Sequence, residues 1–277
     1  MSLRSDADNC ILFTEPVILR YIMDSFRAPV DKLVMIKQQA FSRMKITSKM
    51  HVVIRKFQPS DSEAVKIIFQ DGIKEHITSS FIYAISQPLH ITLTLCFCIA
   101  GYILFGESVV LALLAGASWI GLLLYCCYEF YTGYVRLKLR TDMRDITGFY
   151  IRNPDNCFWV AEAQVNGRPL VVGMVAVEAR NIPNSDGQKY GELFRMSVSS
   201  ECRHAGVGSR LGNVAVDFCK ERGFSKVVLQ TTFPQRAAIS LYIKMGFKLV
   251  QTHTQSEGPW WINRLIRVKI LKMEKIL

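Results

Sequence analysis

The residues with the clearest chemical meaning form a basic, glycine-rich segment with the pattern Arg203-x-x-Gly206-x-Gly208. The segment follows an apolar stretch of strand character that ends at Val198, and it opens a helical sequence. The first turn of a helix offers backbone N–H groups without intrahelical partners, together with the positive end of the helix dipole. Glycine lets a ligand approach the main chain, and arginine supplies a forked cation for phosphate oxygens. The segment therefore predicts a pyrophosphate-binding turn.

A second motif lies further along the chain. The β-branched run 225–232 has the length of a strand, and an amphipathic helix that ends at a glycine follows it. This helix carries the pattern Ala238-x-x-x-Tyr242-x-x-x-Gly246-Phe247. The two motifs, in this order, resemble the acetyl-CoA-binding core of the GNAT acyltransferase superfamily. The resemblance implies an α/β (α+β) fold with a central, mostly antiparallel sheet, and acetyl-CoA as the co-substrate without a metal.

Acetyl transfer to an amine needs a proton acceptor, a donor for the oxyanion and a proton donor for the thiolate. The amine must be neutral to attack, although free amines are mostly protonated near neutral pH. The resemblance implies that Glu192 is the general base, that the backbone N–H of Val198 stabilises the oxyanion and that Tyr242 protonates the CoA thiolate. Structural roles stay open for two of them, with Glu192 as a solvated acid at a strand end and Tyr242 as a core aromatic.

The same resemblance implies a larger set of contacts to the cofactor. Gln235 occupies a position at which many members of the superfamily have Asn against the pantetheine arm, and its amide offers the same groups one methylene further out. His204 is expected to neighbour the phosphates, because the turn directs it towards the nucleotide. The residues expected to contact CoA are Met196, Val198, Arg203, His204, Ala205, Gly206, Val207, Gly208, Ser209, Gln235 and Tyr242.

Composition and charge limit the class of protein. The chain has 277 residues, 50% of them hydrophobic, and a formal net charge of +11. Its eight cysteines include no Cys-x-x-Cys and no paired spacing typical of zinc sites, which favours a reducing compartment. The positive charge is compatible with nucleic acid, anionic lipid or acidic ligands. Lipid headgroups and the phosphates of CoA account for it more simply, and nucleic acid is not expected as a partner.

Two long apolar runs, residues 89–105 and 109–128, contain no Asp, Glu, Lys or Arg. Only Gly106-Glu107-Ser108 separates them, and each run has about the length that crosses the hydrocarbon core of a bilayer. They predict a membrane hairpin over residues 86–130. A hairpin that spans the bilayer and a re-entrant wedge both fit the pattern.

The distribution of charge predicts the orientation of this hairpin. Basic residues lie on both flanks, with Lys74 before it and Arg136 after it, and the connector contains none. The positive-inside rule then places the catalytic domain and both termini in the cytosol and the Glu107 turn on the far side. An interfacial aromatic belt is expected at Tyr125, Tyr128, Tyr131 and Tyr134.

The chain divides near Met50. Residues 1–49 form an N-terminal extension to which no role is assigned. Residues 50–277 form the domain that the hairpin interrupts. It begins with a strand over 51–57, and Ser60 to Glu63 is typical of a capping box that opens a helix.

Further strands are expected after the hairpin. Residues 157–164 and 170–178 flank an Asn166-Gly167 turn, which is a strong hairpin signal. The last strand is expected within 261–273, where basic and apolar residues alternate.

The position of the apolar hairpin narrows the resemblance. It is inserted near the first two helices of the domain, and the later segment 192–200 reads Glu-Leu-Phe-Arg-Met-Ser-Val-Ser-Ser. Together these features are similar to the camello group of N-acetyltransferases. The resemblance implies an endoplasmic-reticulum membrane enzyme that acetylates the α-amino group of cysteine S-conjugates or, alternatively, the lysine side chains of proteins. A catalytically inactive CoA-binding membrane protein with the same fold is a further alternative.

Overall fold

A computed structural model describes residues 51–165, 168–182 and 187–277. The N-terminal extension 1–49 and the predicted Asn166-Gly167 turn lie outside these residues. Seven strands form one sheet in the order β1-β2-β3-β4-β5-β7-β6. The strands are β1 (Val52–Lys56), β2 (Cys157–Val165), β3 (Arg168–Asn181), β4 (Lys189–Val198), β5 (Lys226–Thr232), β6 (Lys248–His253) and β7 (Ile270–Ile276). All neighbours are antiparallel except β4 and β5, which are parallel, so the predicted mostly antiparallel sheet is confirmed.

Helices cover both faces of the sheet. They are α1 (Ser62–Lys74), α2 (His76–Ile85), α3 (Pro88–Leu104), α4 (Val109–Arg140), α5 (Val207–Glu221), α6 (Arg236–Lys244) and α7 (Trp260–Ile266). On one face, α5 packs its apolar side, including Leu211 and Ala215, against β2 to β5. On the other face, Phe69 of α1 and Val135 of α4 pack against Phe158 and Met174 of the sheet. The molecule is therefore a three-layer arrangement around one sheet.

Two local predictions need correction. The last strand, expected within 261–273, is β7 and starts only at Ile270. Residues 261–266 belong to helix α7, because Ile262 and Ile266, one helical turn apart, pack together against the buried Cys126 and Cys127 of α4. The predicted capping box at Ser60 and Glu63 does not form either. Instead, the Asp61 carboxylate accepts a hydrogen bond from the N–H of Gln58 at 2.8 Å, and α1 begins at Ser62, the residue after Asp61.

The parallel strands β4 and β5 pair over only three positions. Their register ends at Leu193 opposite Leu229, and beyond this point the two strands part. Just past it, β4 has a bulge, because Arg195 and Met196 together lie opposite the single residue Val175 of β3. We call the unpaired region between the second halves of β4 and β5 the slot.

A buried polar network holds this bulge. Arg195 has a positive φ of 54°, which costs a non-glycine residue about 1–2 kcal/mol. Its guanidinium donates to both oxygens of Asp142, at 2.8 and 3.0 Å, and to the Tyr134 hydroxyl at 2.5 Å. Tyr150 also donates to Asp142, at 2.6 Å. The ring of Phe69 lies 5.5 Å from the guanidinium, so β4 is tied to α1 and to both α4 and the segment after it.

Helices α3 and α4 form an antiparallel hairpin whose outer surface is apolar and exposed. Eight of its aliphatic side chains are 58–75% exposed, so the described part of the domain leaves them uncovered. They are Leu95, Ile99, Ile103, Leu104, Val109, Val110, Leu113 and Leu114. Between the helices, Gly101 allows close approach, because a Cβ there would be 2.8 Å from the Cβ of Ala115. Gly106 and Glu107 make the turn with positive φ.

Helix α4 is long and apolar enough to cross a membrane. Helix α3 reaches that criterion only together with the preceding segment Pro59–Ile85, from which it is bent by 72°. At its other end α4 continues into the domain, where Leu123, Tyr131 and Val135 are buried. The expected aromatic belt is therefore wrong in part. Tyr125 and Tyr128 are exposed, whereas Tyr131 and Tyr134 pack inside the domain because the helix runs on without a break.

We predict that Asp142→Ala lowers the free energy of unfolding by about 3–5 kcal/mol, because it leaves the Arg195 charge buried and unpaired. Burial raises the pKa of Asp142, but the hydrogen bonds and charge of Arg195 outweigh this, so the pKa lies below its usual value. The difference between wild type and variant should therefore persist down to about pH 4 and shrink as the pH falls through the folded-state pKa.

Urea denaturation of the detergent-solubilised protein, followed by tryptophan fluorescence at several pH values, measures this difference. Asp217→Ala is the control, because Asp217 pairs with Lys220 on the exposed surface and should change stability by less than about 1 kcal/mol. Equal effects of the two substitutions would contradict the prediction.

Candidate active site

The slot between β4 and β5 is the centre of the site. Ser199 donates its N–H to Val172 of β3 at 2.8 Å. Because successive N–H groups of a strand alternate in direction, the N–H of Val198 points towards the slot, and so does that of Met196 two residues earlier. Within the described residues, this edge of β4 has no ladder partner beyond Leu193. The slot thus offers backbone donors to a ligand that enters it.

The side chain of Tyr242, on α6, also lies at the slot. Its hydroxyl lies 3.5 Å from the Met196 sulfur, and its ring packs edge-on against Phe247 at 5.8 Å. The phenol is buried, and burial raises its pKa, so the hydroxyl keeps its proton at physiological pH. The structure therefore places the protonated Tyr242 hydroxyl next to the Met196 side chain, on the strand β4 that ends at Val198.

The glycine-rich turn lies where β4 leads into α5. Gly206 has a φ of 76° and begins the helix, and a Cβ at this position would meet open space. Gly208 has a different role from the one its motif suggests, because its missing Cβ lets α5 approach Leu241 of α6, which would be only 3.1 Å away. Val207 is buried in the core, so only its main chain is available to a ligand. The remaining residues of the turn, His204, Ala205 and Ser209, are exposed.

The Arg203 side chain is hydrogen-bonded to other residues of the protein. Its Nε donates to the carbonyl of Val198 at 3.2 Å, and its Nη2 lies 2.8 Å from both carboxylate oxygens of Glu75. Glu75 is the residue between α1 and α2. Arg203 therefore links the end of β4 to the joint between these two helices, and its guanidinium remains partly exposed on the side of the turn.

The side-chain amide oxygen of Gln235 accepts hydrogen bonds within its own loop. Its Oε1 accepts from the Thr231 hydroxyl at 2.5 Å and from the N–H of Thr232 at 3.2 Å. These bonds fix the connection between β5 and α6. A pantetheine carbonyl would meet the nitrogen end of this amide.

Glu192 lies on the opposite face of the sheet from Tyr242. Leu193 packs into the α5 side, and neighbouring residues of a strand alternate, so Glu192 points to the α1 side. There its carboxylate lies 3.3 Å from the Nε of Arg180, and Glu178 of β3 is directly opposite. Met196 is four positions further, about 13 Å along the strand. The structure thus separates Glu192 from the other predicted catalytic groups.

The face of the slot that lies towards α2 and α4 holds polar and aromatic side chains that sequence reasoning missed. Tyr131 of α4, Ser80 of α2 and Thr232 of β5 join their hydroxyl groups there. The rings of Tyr83 and Phe233 meet beside them at 5.3 Å. These residues come from three distant stretches of sequence, and none of them belongs to a motif, so no local signal could have identified them.

Within the three described stretches of chain, no group of three or more His, Cys, Asp or Glu side chains is placed to hold a metal ion. The donors around the slot are backbone N–H groups, hydroxyls, an amide and an arginine. This set suits a phosphorylated thioester such as acetyl-CoA.

Comparison with known proteins identifies the family. The sequence profile of the Acetyltransferase (GNAT) family matches residues 124–247, from the domain end of α4 to the end of the Tyr242 motif. A probable N-acetyltransferase camello of Xenopus tropicalis is 35% identical, over 72% of this chain and 86% of that protein. N-acetyltransferase 8F1 of Rattus norvegicus is 34% identical, over 80% and 95%. N-acetylaspartate synthetase of Homo sapiens is 35% identical, over 71% and 62%.

The slot, the turn and these matches define an acetyl-CoA-dependent N-acetyltransferase with the GNAT fold. Within that superfamily, the chain belongs to the camello and N-acetyltransferase 8 family.

We predict that Gly206→Val abolishes CoA binding, because its branched side chain occupies the open space at the start of α5 and distorts the turn. Gly223→Val is the matched control. Gly223 lies just past the other end of α5, also has a positive φ, at 69°, and also faces open space. Both variants carry a similar backbone cost, but only the first should lose the increase in melting temperature on adding CoA. Retained CoA affinity in Gly206→Val would refute the assignment of the turn.

Proposed function

We propose that the protein is a membrane-anchored N-acetyltransferase that transfers the acetyl group of acetyl-CoA to the α-amino group of cysteine S-conjugates. The supporting observation is the position of the slot. On one face it opens to the glycine-rich turn, and on the other it opens to α2 and to the domain end of α4, the helix whose remainder forms the exposed apolar hairpin. The acyl donor and a lipophilic acceptor would thus reach the thioester from opposite sides of the sheet.

The chemistry of the donor side uses the groups around the slot. The N–H groups of Met196 and Val198 stabilise the oxyanion that forms when the amine attacks the thioester carbonyl. Tyr242 then donates its proton, or a hydrogen bond, to the departing CoA thiolate. Arg203 and the N–H groups from His204 to Ser209 bind the pyrophosphate, and the Gln235 amide binds the pantetheine arm. Glu192 occupies a position at which the superfamily frequently has its general base, although its pairing with Arg180 makes the carboxylate a weaker base.

The aromatic residues on the α2 side favour a lipophilic acceptor. Tyr83 and Phe233 are half-buried next to Thr232 and provide an apolar wall for an S-substituent. One relative is named for the synthesis of N-acetylaspartate, an N-acetylated amino acid, which supports an α-amino acid as the acceptor class. Lysine side chains of proteins are the second candidate, since a lysine chain could enter the same opening.

The membrane proposal depends on the uncharged, exposed surface of the α3–α4 hairpin. Burying this surface in a bilayer removes a large apolar area from water, and its helices satisfy their own backbone hydrogen bonds. The family resemblance suggests the endoplasmic reticulum. The basic flanks support a cytosolic location for the domain and both termini.

The acceptor is tested by offering S-benzyl-L-cysteine, a set of free amino acids and lysine peptides, with acetyl-CoA, to the detergent-solubilised protein. Release of free thiol that depends on the added amine is the measurement. We expect S-benzyl-L-cysteine to be the best acceptor and Gly206→Val to be inactive with all of them. A preference for lysine peptides would select the alternative, and CoA binding without turnover on any amine would show an inactive CoA-binding protein.

The membrane anchor is tested by changing four exposed hairpin residues to Gln: Leu95, Ile99, Leu113 and Leu114. We expect the variant to leave the membrane fraction in carbonate extraction and flotation, because the hairpin loses its apolar surface. The control changes four exposed apolar residues of the domain, Val53, Ile243, Leu249 and Ile276, and should stay membrane-bound. In closed microsomes, protease added outside should digest the domain. Unchanged flotation of the hairpin variant, or full protection of the domain, would contradict the proposal.

A further inference from the structure

A chain of hydroxyl groups lies behind the slot, on the face away from the glycine-rich turn. The Tyr131 hydroxyl of α4 is 2.5 Å from that of Ser80 in α2 and 3.3 Å from that of Thr232 at the end of β5. Ser80 is fully buried and Tyr131 nearly so. The roles described above for acetyl transfer use none of these three groups.

Thr232 lies at the depth in the slot at which the thioester is proposed to react. Leu193 and Leu229 are the last paired residues of β4 and β5, and Met196 and Thr232 each lie three positions beyond them. The two residues therefore flank the slot at about the same depth. Since the Thr232 hydroxyl bonds to Tyr131, it points to the face from which the acceptor amine would approach.

His76 completes this cluster. It precedes Ser80 by four residues on α2, so both side chains lie on the same face of the helix. The centres of the His76 and Tyr131 rings are 6.4 Å apart, which is close enough for one water to join their polar atoms. The Nε2 atom of His76 is also 3.5 Å from Oε1 of Glu75, the carboxylate that Arg203 holds.

We infer that His76 accepts the proton that the acceptor amine must lose, with the Tyr131 hydroxyl as the relay between them. The inference rests on the proposed acetyl transfer and concerns its acceptor side. Glu192 is less well placed for this step, because it lies about 13 Å along β4 from Met196 and is paired with Arg180.

The charge state of His76 agrees with this role. Burial lowers the pKa of His76 below its usual 6.5; Glu75 offsets part of this effect, and Arg203 adds to it. The imidazole is therefore neutral at pH 7 and can take a proton. Among the described groups that face it, Glu75 is the one whose negative charge would stabilise the imidazolium once it forms, while Tyr131 contributes a hydroxyl.

The acceptor amine loses two protons in the reaction. Its ammonium group first gives one proton to the Tyr131 oxygen while the Tyr131 hydroxyl proton moves to His76, which later releases it to solvent. The neutral amine then forms the new C–N bond at the thioester carbonyl and gives a tetrahedral intermediate. As this intermediate collapses, the C–S bond breaks, Tyr242 protonates the CoA thiolate on the opposite face, and the second nitrogen proton passes through solvent to the Tyr242 phenolate. The products are the N-acetyl compound and free CoA thiol.

The test compares the pH dependence of kcat for wild type, His76→Gln and the control His51→Gln, whose side chain is exposed at the start of the described chain. S-benzyl-L-cysteine is the acceptor, or the best amine of the panel if it is inactive. In wild type, kcat should fall as the pH drops through a midpoint below 6.5, because a protonated imidazole cannot accept a proton. His76→Gln should no longer show this fall in kcat at low pH. Its kcat should be about 10²- to 10⁴-fold lower than that of wild type, with CoA binding retained.

A second pair of variants separates a proton relay from simple packing. Tyr131→Phe keeps the ring and removes the hydroxyl, so kcat should fall at least tenfold while the CoA-induced thermal shift stays unchanged. Tyr128→Phe, on the exposed side of the same helix, is the control.

The results of these assays distinguish a failure of the proposed acetyl transfer from a failure of the role of His76. A wild-type protein that is inactive with every amine would sink the proposed acetyl transfer itself. If wild type is active and the fall in kcat at low pH is still present in His76→Gln, the role of His76 is overturned while the proposed acetyl transfer stands. If Glu192→Gln removed that fall instead, the base would be Glu192.

Discussion

The buried ion pair between Arg195 and Asp142 is the interaction on which the site depends. It holds a bulged, left-handed residue in β4 at the point where β4 leaves β5. Without the bulge, the regular alternation of the strand would continue, and Met196 and Val198 would present their backbone groups differently to the slot. A buried ion pair adds little stability compared with apolar packing, but breaking one is costly. Its value here is positional, since it fixes one geometry of β4 against α1 and α4.

Helix α4 gives the molecule its second constraint. One continuous helix supplies an exposed apolar surface over its first half and core residues over its second. The residue that reaches the slot, Tyr131, and the residue that reaches Arg195, Tyr134, lie on the same stretch. The exposed apolar surface and the side chain that contacts the Thr232 hydroxyl therefore belong to one continuous helix.

Electrostatics connects the two faces of the sheet. Arg203 belongs to the glycine-rich turn and pairs with Glu75, which also lies beside His76. The same carboxylate thus contacts an arginine of the turn and a histidine of the hydroxyl cluster on the other face. Tyr242 and His76 have opposite ionisation behaviour. Burial keeps the phenol protonated and the imidazole neutral, because in each case it disfavours the charged form.

The sequence alone determined the features that depend on neighbouring residues. The strands over 157–164, 170–178 and 225–232, the glycine that starts α5 and the apolar hairpin follow from short motifs and periodicity, whereas the approach of Tyr242 to β4 was expected from the family resemblance. Local pattern failed at residues 261–266, where packing against Cys126 and Cys127 selects a helix, and at Tyr131 and Tyr134, which a composition argument placed in an aromatic belt.

Tertiary structure decided everything that needs residues from distant segments. The sequence contained Arg195, Asp142, His76 and Thr232, but it carried no sign that the first two pair or that the last lies level with Met196. Such contacts depend on strand register and on the path of α4, and a one-residue bulge is enough to change the face to which the following side chains point. Motifs therefore identify the glycine-rich turn, because a helix start is local, whereas the cluster of His76, Ser80, Tyr131 and Thr232 becomes visible only once the sheet and helices are assembled.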